Sequence, residues 1–346
     1  MKPIIHLRGW RYQIPYLGNI SNWQQFVDAA DSSGYRIQPY TNTNHWTDGF
    51  GDDLDSTLYK SRALNINGDP YHDTTWKAQI MNPEDTLWRK KFQSVVDTVF
   101  RILGATDIYM DYPPHPKLDW NPRHSKGGGD SWFQGFRTLS DSAVAKGRSI
   151  NDDAVFIQEG RFEGHVDIYD GFIYPDWEMA TGVLAKGAEP VPLFEVVFGD
   201  YVTTTSSPGY TLRDPAHTNY DKMKYLLAYS FVNSKFIGFS ADTVYFTPTT
   251  FNGPTQEERE IVKYVGDLVR LRVNSHTWYV YGAWQRPPAI NSPMVNIDFP
   301  DIGNTISRPA VESGAMRLNN EALLLFANHT ESTQLINPNI TVSDYS

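Results

Sequence analysis

The sequence predicts a mixed α/β protein: a (β/α)8 TIM barrel with one ambiguous strand, followed by a small C-terminal antiparallel β domain. Short apolar runs alternate with longer amphipathic stretches, which is typical of repeated βα units. The chain has 346 residues, which is enough for a barrel of about 250 residues and an appendage. After about residue 275, short β-like runs separated by Pro, Asn and Gly replace the alternation. These observations predict a barrel over residues 1–275 and a β domain over residues 276–346.

Most of the predicted barrel strands are near-continuous apolar runs, as buried parallel strands are. In chain order they cover residues 3–7, 35–41, 106–111, 154–159, 166–173, 190–198 and 235–240. The predicted helices cover residues 22–33, 83–103, 131–145, 219–233 and 255–273. The remaining strand is either residues 58–65, or the barrel begins at what is normally its second strand. A doubly wound sheet is the alternative, but no Gly-x-Gly-x-x-Gly turn follows any predicted strand.

The segment after residue 275 has a different pattern. Its β-like runs have no predicted helix between them and cover residues 278–284, 294–299, 322–326 and 334–340. Short runs with such separators are typical of antiparallel sheets. We therefore expect a small β-sandwich-like domain, either complete or truncated.

Composition excludes several classes of function. The chain has 30 basic and 40 acidic residues, and its net charge of -10 disfavours binding to a phosphate backbone. It has no cysteine, which excludes disulfides, thiol nucleophiles and zinc–thiolate sites. No run approaches the ~18 apolar residues of a membrane span, and residues 1–8 lack the apolar core of a signal peptide. We therefore expect a soluble protein, cytoplasmic by default, that binds neither nucleic acid nor membrane.

Two carboxylates end neighbouring predicted strands. Asp111 ends the run at residues 107–111, and Glu159 ends the run at residues 155–159. Catalytic groups of (β/α)8 barrels come from the C-terminal ends of the strands, and adjacent strands lie about 4.8 Å apart. Hydrolysis of a glycosidic bond needs such a pair, one as acid and the other as nucleophile or base. Asp111 and Glu159 are therefore the predicted catalytic residues.

Aromatic, amide and charged side chains are frequent in the segments after the predicted strands. Flat rings and hydrogen-bonding groups suit the C–H faces and hydroxyls of a sugar. The predicted substrate-binding residues are Trp10, Asn42, Tyr112, His115, His124, Trp132, Arg161, Glu163 and Asp242. Tyr40, His45, Trp46 and Trp120 belong to the same aromatic-rich segments. His115, Asp119 and His124 match no established metal-ligand spacing, so we expect neither a metal nor a cofactor.

Several strings resemble a known group of proteins. They are Asp-Ile-Tyr-Met-Asp at residues 107–111, Gly-Gly-Gly-Asp-Ser-Trp at 127–132, Phe-Ile-Gln-Glu-Gly-Arg-Phe-Glu at 156–163, Asp-Ile-Tyr-Asp-Gly at 167–171 and Val-Pro-Leu-Phe at 191–194. They resemble an uncharacterised family of glycoside-hydrolase-like TIM barrels, and more distantly they are similar to endo-α-N-acetylgalactosaminidases. The resemblance implies that Asp111 is the nucleophile and Glu159 the acid/base.

The sequence therefore leads to a hypothesis and two alternatives. The hypothesis is a retaining glycoside hydrolase that acts on an oligosaccharide or polysaccharide with two carboxylates. One alternative is a carbohydrate-binding barrel without catalysis. The other is a barrel enzyme of different chemistry, because a fold alone does not determine function. Turnover of glycosides distinguishes the glycoside hydrolase from the carbohydrate-binding barrel.

Overall fold

A computed structural model gives the chain a mixed α/β fold with a parallel sheet and several small antiparallel sheets. It describes residues 4–7, 20–47, 56–74, 77–111, 117–124, 129–175, 193–207, 219–233, 236–237, 256–300 and 303–340. The chain divides into two compact units, residues 2–171 and residues 172–346. The boundary expected near residue 275 falls within the second unit and stays a prediction.

The first unit combines a parallel sheet with a small antiparallel one. Its elements are β1 (Ile4–Leu7), α1 (Ile20–Ser32), β2 (Arg36–Asn42), β3 (His45–Thr47), a 3-10 helix (Ser56–Ser61), β4 (His72–Asp73), β5 (Ala78–Ile80), α2 (Thr86–Asp97), β6 (Asp107–Asp111), α3 (Gly129–Arg148) and β7 (Val155–Glu159). Strands β1, β2, β6 and β7 are parallel and lie in that order, and β3, β5 and β4 form the antiparallel sheet. The four predicted parallel strands of this unit are therefore present.

Helix α2 shows how sequence signals set an element. Asp85 caps it by accepting a hydrogen bond from the backbone N–H of Leu87 at 2.7 Å. Trp88, Phe92 and Val96 recur at helical spacing and are buried. A π-helical turn over Thr98–Ile102 follows the helix. The helix predicted over residues 83–103 matches α2 together with this turn.

The core of the first unit lies between the parallel strands and the helices. Ile108 and Met110 of β6 and Phe156 of β7 are fully buried. Helix α3 comes very close to β7 at Gly147, where a Cβ atom would lie 2.4 Å from Cζ of Phe156. A side chain at position 147 would require the rings of Phe156 and Phe100 to move, and this close approach places α3 directly on the strand that ends in Glu159.

The second unit contains short antiparallel sheets and helices. Its elements are β8 (Gly171–Pro175), α4 (Leu193–Phe198), β9 (Thr203–Ser207), α5 (Tyr220–Asn233), β10 (Phe236–Ile237), α6 (Gln256–Asn274), α7 (His276–Tyr281), β11 (Ala283–Gln285), β12 (Ala289–Ile290), β13 (Met294–Phe299), β14 (Asn304–Pro309), β15 (Val311–Leu318), β16 (Glu321–Asn328) and β17 (Pro338–Asn339). Strands β9 and β10 are parallel, whereas β11-β15-β16, β12-β17 and β13-β14 are antiparallel.

The helices before residue 275 share a core with the strands after it. Phe231 of α5, Leu268 of α6, Tyr279 of α7 and Met316 of β15 are buried in one cluster. Arg272, also buried, stacks on the ring of Tyr279 at 4.2 Å. The β-rich segment therefore packs against helices that the sequence assigned to the barrel.

Three predicted strands are wrong in type or position. Residues 193–198 of the run 190–198 form α4, in which Phe194 and Phe198 contact each other one helical turn apart, and residues 190–192 lie outside the described part. Residues 166–168 of the run 166–173 form turns after a 3-10 helix, and β8 begins only at Gly171. Most of the run 278–284 is α7, which ends where Gly282 donates to the carbonyl of Trp278. Apolar runs of this length do not distinguish a strand from a short buried helix.

Two further differences concern ambiguous or unpredicted strands. Residues 56–61 form a 3-10 helix followed by isolated bridges, so residues 58–65 do not provide the missing strand. The polar run Thr203–Ser207 forms β9, which no apolar pattern signalled.

Candidate functional site

The carboxylate of Asp111 lies at the C-terminal end of β6 and contacts side chains of β2. The hydroxyl of Tyr40 donates a hydrogen bond to Oδ2 of Asp111. The amide nitrogen of Asn42 donates to the same oxygen at 3.2 Å. The strand register places Tyr40 beside Tyr109 and Asn42 beside Asp111, so both donors lie on one face of the sheet with the carboxylate. Two donors on one oxygen favour the ionised carboxylate in a fixed orientation.

The turn after β2 fixes this arrangement. Oδ1 of Asn42 accepts hydrogen bonds from the backbone N–H groups of Asn44 at 3.2 Å and His45 at 2.9 Å. The hydroxyl of Thr43 donates to the backbone carbonyl of Asp111 at 2.9 Å. Asn42 thus shapes the turn with its oxygen and orients Asp111 with its nitrogen, which explains why an amide suits this position.

Glu159 occupies the equivalent position on the next strand. Tyr109 pairs with Ile157, and Met110 pairs with Gln158. The same register extended by one residue sets Asp111 beside Glu159, and both side chains then leave the sheet on the face that carries Tyr109. Both carboxylates are half-buried. Gly160 follows with φ of 74°, a left-handed conformation that turns the chain sharply after Glu159.

The segment after Glu159 packs on α3 through a buried histidine. Nδ1 of His165 donates to Oε1 of the fully buried Gln158 at 2.7 Å. The imidazole stacks on Phe136, with ring centroids 5.5 Å apart, and contacts the edge of Phe162 at 4.7 Å. Burial among these rings, with the nearby charge of Arg137, lowers the pKa of His165 to about 4. This histidine is therefore neutral at pH 7.

An arginine of α3 holds the same segment from outside. Arg137 donates to the carbonyl of Gly164 at 2.7 Å and binds both carboxylate oxygens of Asp167, at 3.1 and 2.5 Å. Further along, Asp170 accepts a hydrogen bond from the backbone N–H of Phe156 at 2.8 Å and pairs with Arg148 at 2.8 Å. These contacts give the loop beside Glu159 a defined position.

A second buried histidine lies in the segment that follows β6. Both ring nitrogens of His124 contact carboxylates: Nδ1 contacts Asp119, and Nε2 contacts Asp85 at 3.2 Å. Burial alone would lower the pKa of His124, but the two carboxylates outweigh it and raise the pKa to about 9. Burial is likewise outweighed at Asp85 and Asp119, where hydrogen bonds, that of His124 foremost, hold the pKa of each carboxyl below its usual value. His124 is therefore a buried imidazolium between two anions at pH 7.

The described residues place the other predicted site residues differently. Arg161 is half-buried and Glu163 is exposed, both in the loop after β7. Trp132 is 0% exposed and packs with Ala63 and Ile80, so its ring has no face available to a sugar. His124 is also inside, where the two aspartates occupy its nitrogens. Trp10, Tyr112, His115 and Asp242 lie outside the described residues.

Several residues that contact Asp111 or support the segments after β6 and β7 had no predicted role in the functional site. The sequence placed Tyr40 in an aromatic-rich segment but not on Asp111. It gave no role in the functional site to Asp85, Asn82 or His165. A signal existed for Asp85, since an acidic residue before α2 is a typical helix cap. None existed for His165, because only the fold brings it to Gln158.

The described residues contain no group of three or more His, Asp or Glu side chains arranged to hold a metal ion. Nor does any helix in the described ranges have the length and apolar character to cross a membrane.

A family model matches much of the chain. It is described as a domain of unknown function, DUF6259, and it matches residues 13–209. The chain belongs to this family. The match covers both Asp111 and Glu159. No curated protein matches this DUF6259 chain by sequence.

Solved structures of glycoside hydrolases share the fold of the DUF6259 chain at low identity. The α-N-acetylgalactosaminidase of Bifidobacterium bifidum is 14% identical with a TM-score of 0.59, and the match covers 97% of this chain and 50% of that one. A maltogenic alpha-amylase from Thermotoga neapolitana is 12% identical with a TM-score of 0.56, over 90% of this chain and 69% of that one. An alpha-amylase from Geobacillus thermoleovorans is also 12% identical with a TM-score of 0.56, over 91% and 71%.

The expected distant similarity to glycoside hydrolases is therefore confirmed at the level of the fold. At these identities the similarity does not transfer residue roles. The chain spans half the length of the acetylgalactosaminidase.

Proposed function

We propose that this DUF6259 protein is a retaining glycoside hydrolase built on a (β/α)8-type barrel, with Asp111 as nucleophile and Glu159 as acid/base. One observation carries the proposal. The two carboxylates end adjacent parallel strands at equivalent register positions, and Tyr40 and Asn42 orient the carboxylate of Asp111. The glycosidase fold of the structural neighbours supports the same reaction class.

The contacts of Asp111 suit a nucleophile. A carboxylate attacks an anomeric carbon only when it is ionised, and hydrogen bonds to Oδ2 favour the ionised form. Because both donors bind the same oxygen, they also fix the rotation of the carboxylate, which lowers the entropy loss on reaching the transition state.

The reaction would proceed in two steps. In the first, Asp111 attacks the anomeric carbon and forms a glycosyl ester, while the carboxylic acid of Glu159 gives its proton to the departing glycosidic oxygen. In the second, the carboxylate of Glu159 takes a proton from water, which attacks the same carbon and releases Asp111. Asn42, Arg161 and Glu163 are the described residues proposed to contact the sugar. Trp10, Tyr112, His115 and Asp242 remain predictions.

The test is turnover of a panel of aryl glycosides by the full chain. The panel begins with α-N-acetylgalactosaminide and α-glucoside, because the structural neighbours include an acetylgalactosaminidase and amylases. We expect Asp111→Asn and Glu159→Gln each to lower kcat by at least about 10²–10⁴-fold. This is the range typical of the loss of a general acid or base. Circular dichroism verifies that both variants are folded.

The matched control is Asp152→Asn. Asp152 is an exposed aspartate in the turn that precedes the N-terminal end of β7, away from Glu159 at its C-terminal end. It should retain the activity of the wild type. Full activity in either carboxylate variant would contradict the proposal. If the wild type bound saccharides but hydrolysed none of the panel, the carbohydrate-binding alternative would be correct.

A further inference from the structure

The segment over residues 118–121, which follows β6, has an inverted burial pattern. Asp119 and Asn121 are only 1% and 7% exposed. Leu118, which precedes them, is 57% exposed, and Trp120, which lies between them, is 51% exposed. Extended segments normally bury apolar residues and expose polar ones. Here the polar residues face inward and the apolar residues face solvent, which is the informative case for a binding surface.

The polar residues of this segment fix its backbone. Asp119 accepts hydrogen bonds from the backbone N–H of Leu64 at 2.8 Å and from Asn82 at 2.5 Å. Asn121 donates to the carbonyl of Arg62 at 2.7 Å. Two further bonds join the backbone of Trp120 to Leu64 at 2.9 Å and that of Leu118 to the hydroxyl of Tyr71 at 3.0 Å.

This anchoring matters for binding. A flexible apolar side chain would lose conformational entropy when a ligand ordered it, whereas one on a fixed backbone loses less. Trp120 in particular has few rotatable bonds and a large flat surface. The inverted pattern therefore presents a rigid aromatic platform, formed by Trp120 with Leu118 beside it.

Hydrogen bonds link the platform to the nucleophile. Asn82 contacts Asp119, and the neighbouring Met81 donates to the carbonyl of Asn44 at 2.7 Å. Asn44 follows Thr43, whose hydroxyl donates to the carbonyl of Asp111. The platform is thus connected through hydrogen bonds to the turn that positions Asp111, and it lies in the segment that follows β6.

We propose that Trp120 and Leu118 form a stacking platform for a sugar unit of an extended saccharide, outside the unit whose bond is cleaved. The inference rests on the proposed glycosidase function and adds that the substrate is an oligosaccharide or polysaccharide chain. An aromatic face suits the C–H face of a pyranose ring. Its connection to the turn that positions Asp111 favours the substrate over a second copy of the chain or a protein partner.

The experiment compares the full-length wild type with Trp120→Ala and Trp120→Phe. Affinity electrophoresis in gels containing soluble starch, xylan, galactomannan or mucin glycans measures binding without turnover. We expect at least one polysaccharide to retard the wild type, with affinity about tenfold lower in Trp120→Ala and largely retained in Trp120→Phe. The kcat/KM on an aryl monosaccharide should stay within about twofold of the wild type, because that substrate does not reach the platform.

Two controls separate this proposal from the catalytic one. Asp111→Asn should lose turnover but keep retardation, and Tyr201→Ala removes an exposed aromatic residue of the second unit and should change neither. If the wild type binds through Trp120 but hydrolyses nothing, the glycosidase proposal fails and the platform stands. The platform is refuted if no polysaccharide retards the wild type or if Trp120→Ala binds as the wild type does. It is also refuted if Trp120→Ala loses aryl glycoside turnover to the same degree, or changes the oligomeric state in gel filtration without changing saccharide affinity.

Discussion

His124 and His165 anchor the segments that follow β6 and β7, the strands that end in Asp111 and Glu159. Both imidazoles are almost completely inaccessible to solvent. His124 lies between Asp85 and Asp119, and its pKa is raised to about 9. His165 lies among aromatic rings and donates only to the neutral Gln158, and its pKa is lowered to about 4. One residue type thus supports two neighbouring loops, charged in one and neutral in the other.

The contrast shows that burial alone does not decide the charge of a histidine. Desolvation disfavours the imidazolium in both places. Two carboxylates within hydrogen-bonding distance reverse the effect at His124, whereas the imidazole of His165 contacts aromatic rings and the neutral amide of Gln158. The two loops should therefore respond in opposite ways to mutation and to pH.

The largest effect is expected from His124→Gln. The variant leaves Asp85 and Asp119 buried without their shared cation, and breaking such a cluster costs about 3–5 kcal/mol. Urea unfolding of the full chain measures the change in the free energy of unfolding. Arg123→Gln is the control, because this half-exposed side chain contacts Asp85 at 3.6 Å and should contribute less than about 1 kcal/mol. Equal effects of both variants would refute the central role of the imidazolium.

The same cluster predicts sensitivity to alkaline pH. The folded pKa of His124, about 9, lies above its usual value of 6.5, so its stabilisation is complete below pH 6.5 and is lost as pH rises through about 9. The slope approaches about 1.4 kcal/mol per pH unit, the value for one proton. His124→Gln should lack this alkaline limb in a series of unfolding curves between pH 6.5 and 9. An unchanged limb would place its origin elsewhere.

A smaller loss of stability, with the opposite dependence on pH, is expected at His165. Its folded pKa of about 4 lies below 6.5, so its contribution is complete above pH 6.5 and falls as pH decreases towards 4. His165→Phe should remove this acid limb and cost about 1–3 kcal/mol at pH 7, because Gln158 loses its buried donor. The double variant His165→Phe, Gln158→Leu should recover part of the loss, since it removes both partners. No recovery would mean that the hydrogen bond is not the main contribution.

The smallest effect is expected from Arg137→Ala. Its pair with Asp167 is partly exposed, and such pairs contribute about 0–1 kcal/mol. The loss should fall further in high salt because exposed charges are screened. Thermal unfolding at low and high salt measures both changes. A loss above about 2 kcal/mol would show that Arg137 supports the loop mainly through the carbonyl of Gly164.

The sequence predicted the parallel strands of the first unit well because apolar content and period are local properties. Asp111 and Glu159 stand at strand ends for the same reason, and their shared register follows from the order of the strands. The contact of Tyr40 with Asp111 could not be predicted, since it depends on β2 and β6 being neighbours.

The failures have a common physical origin. Trp132 lies within the helix predicted over residues 131–145, but its burial depends on Ala63 and Ile80, which only the fold brings to it. His124 has the residue type of a sugar ligand, but Asp85, 39 residues earlier in the chain, determines its charge and its place. Residues 193–198 and 278–281 are helical although the sequence predicts strands there, because short apolar runs carry no clear period.

The close approach at Gly147 also constrains function at a distance. Near the C-terminal end of α3, the bare Cα of Gly147 lies against Phe156, and ten residues earlier on the same helix Arg137 holds the loop beyond Glu159. A helix transmits displacement along its axis, here over about 15 Å. A Cβ atom at position 147 would require the rings of Phe156 and Phe100 or the helix itself to shift, and a shift of the helix would reach the loop beside Glu159 through Arg137. Random mutagenesis aimed at new substrates should find this inconspicuous glycine among the least replaceable positions, although it touches no sugar.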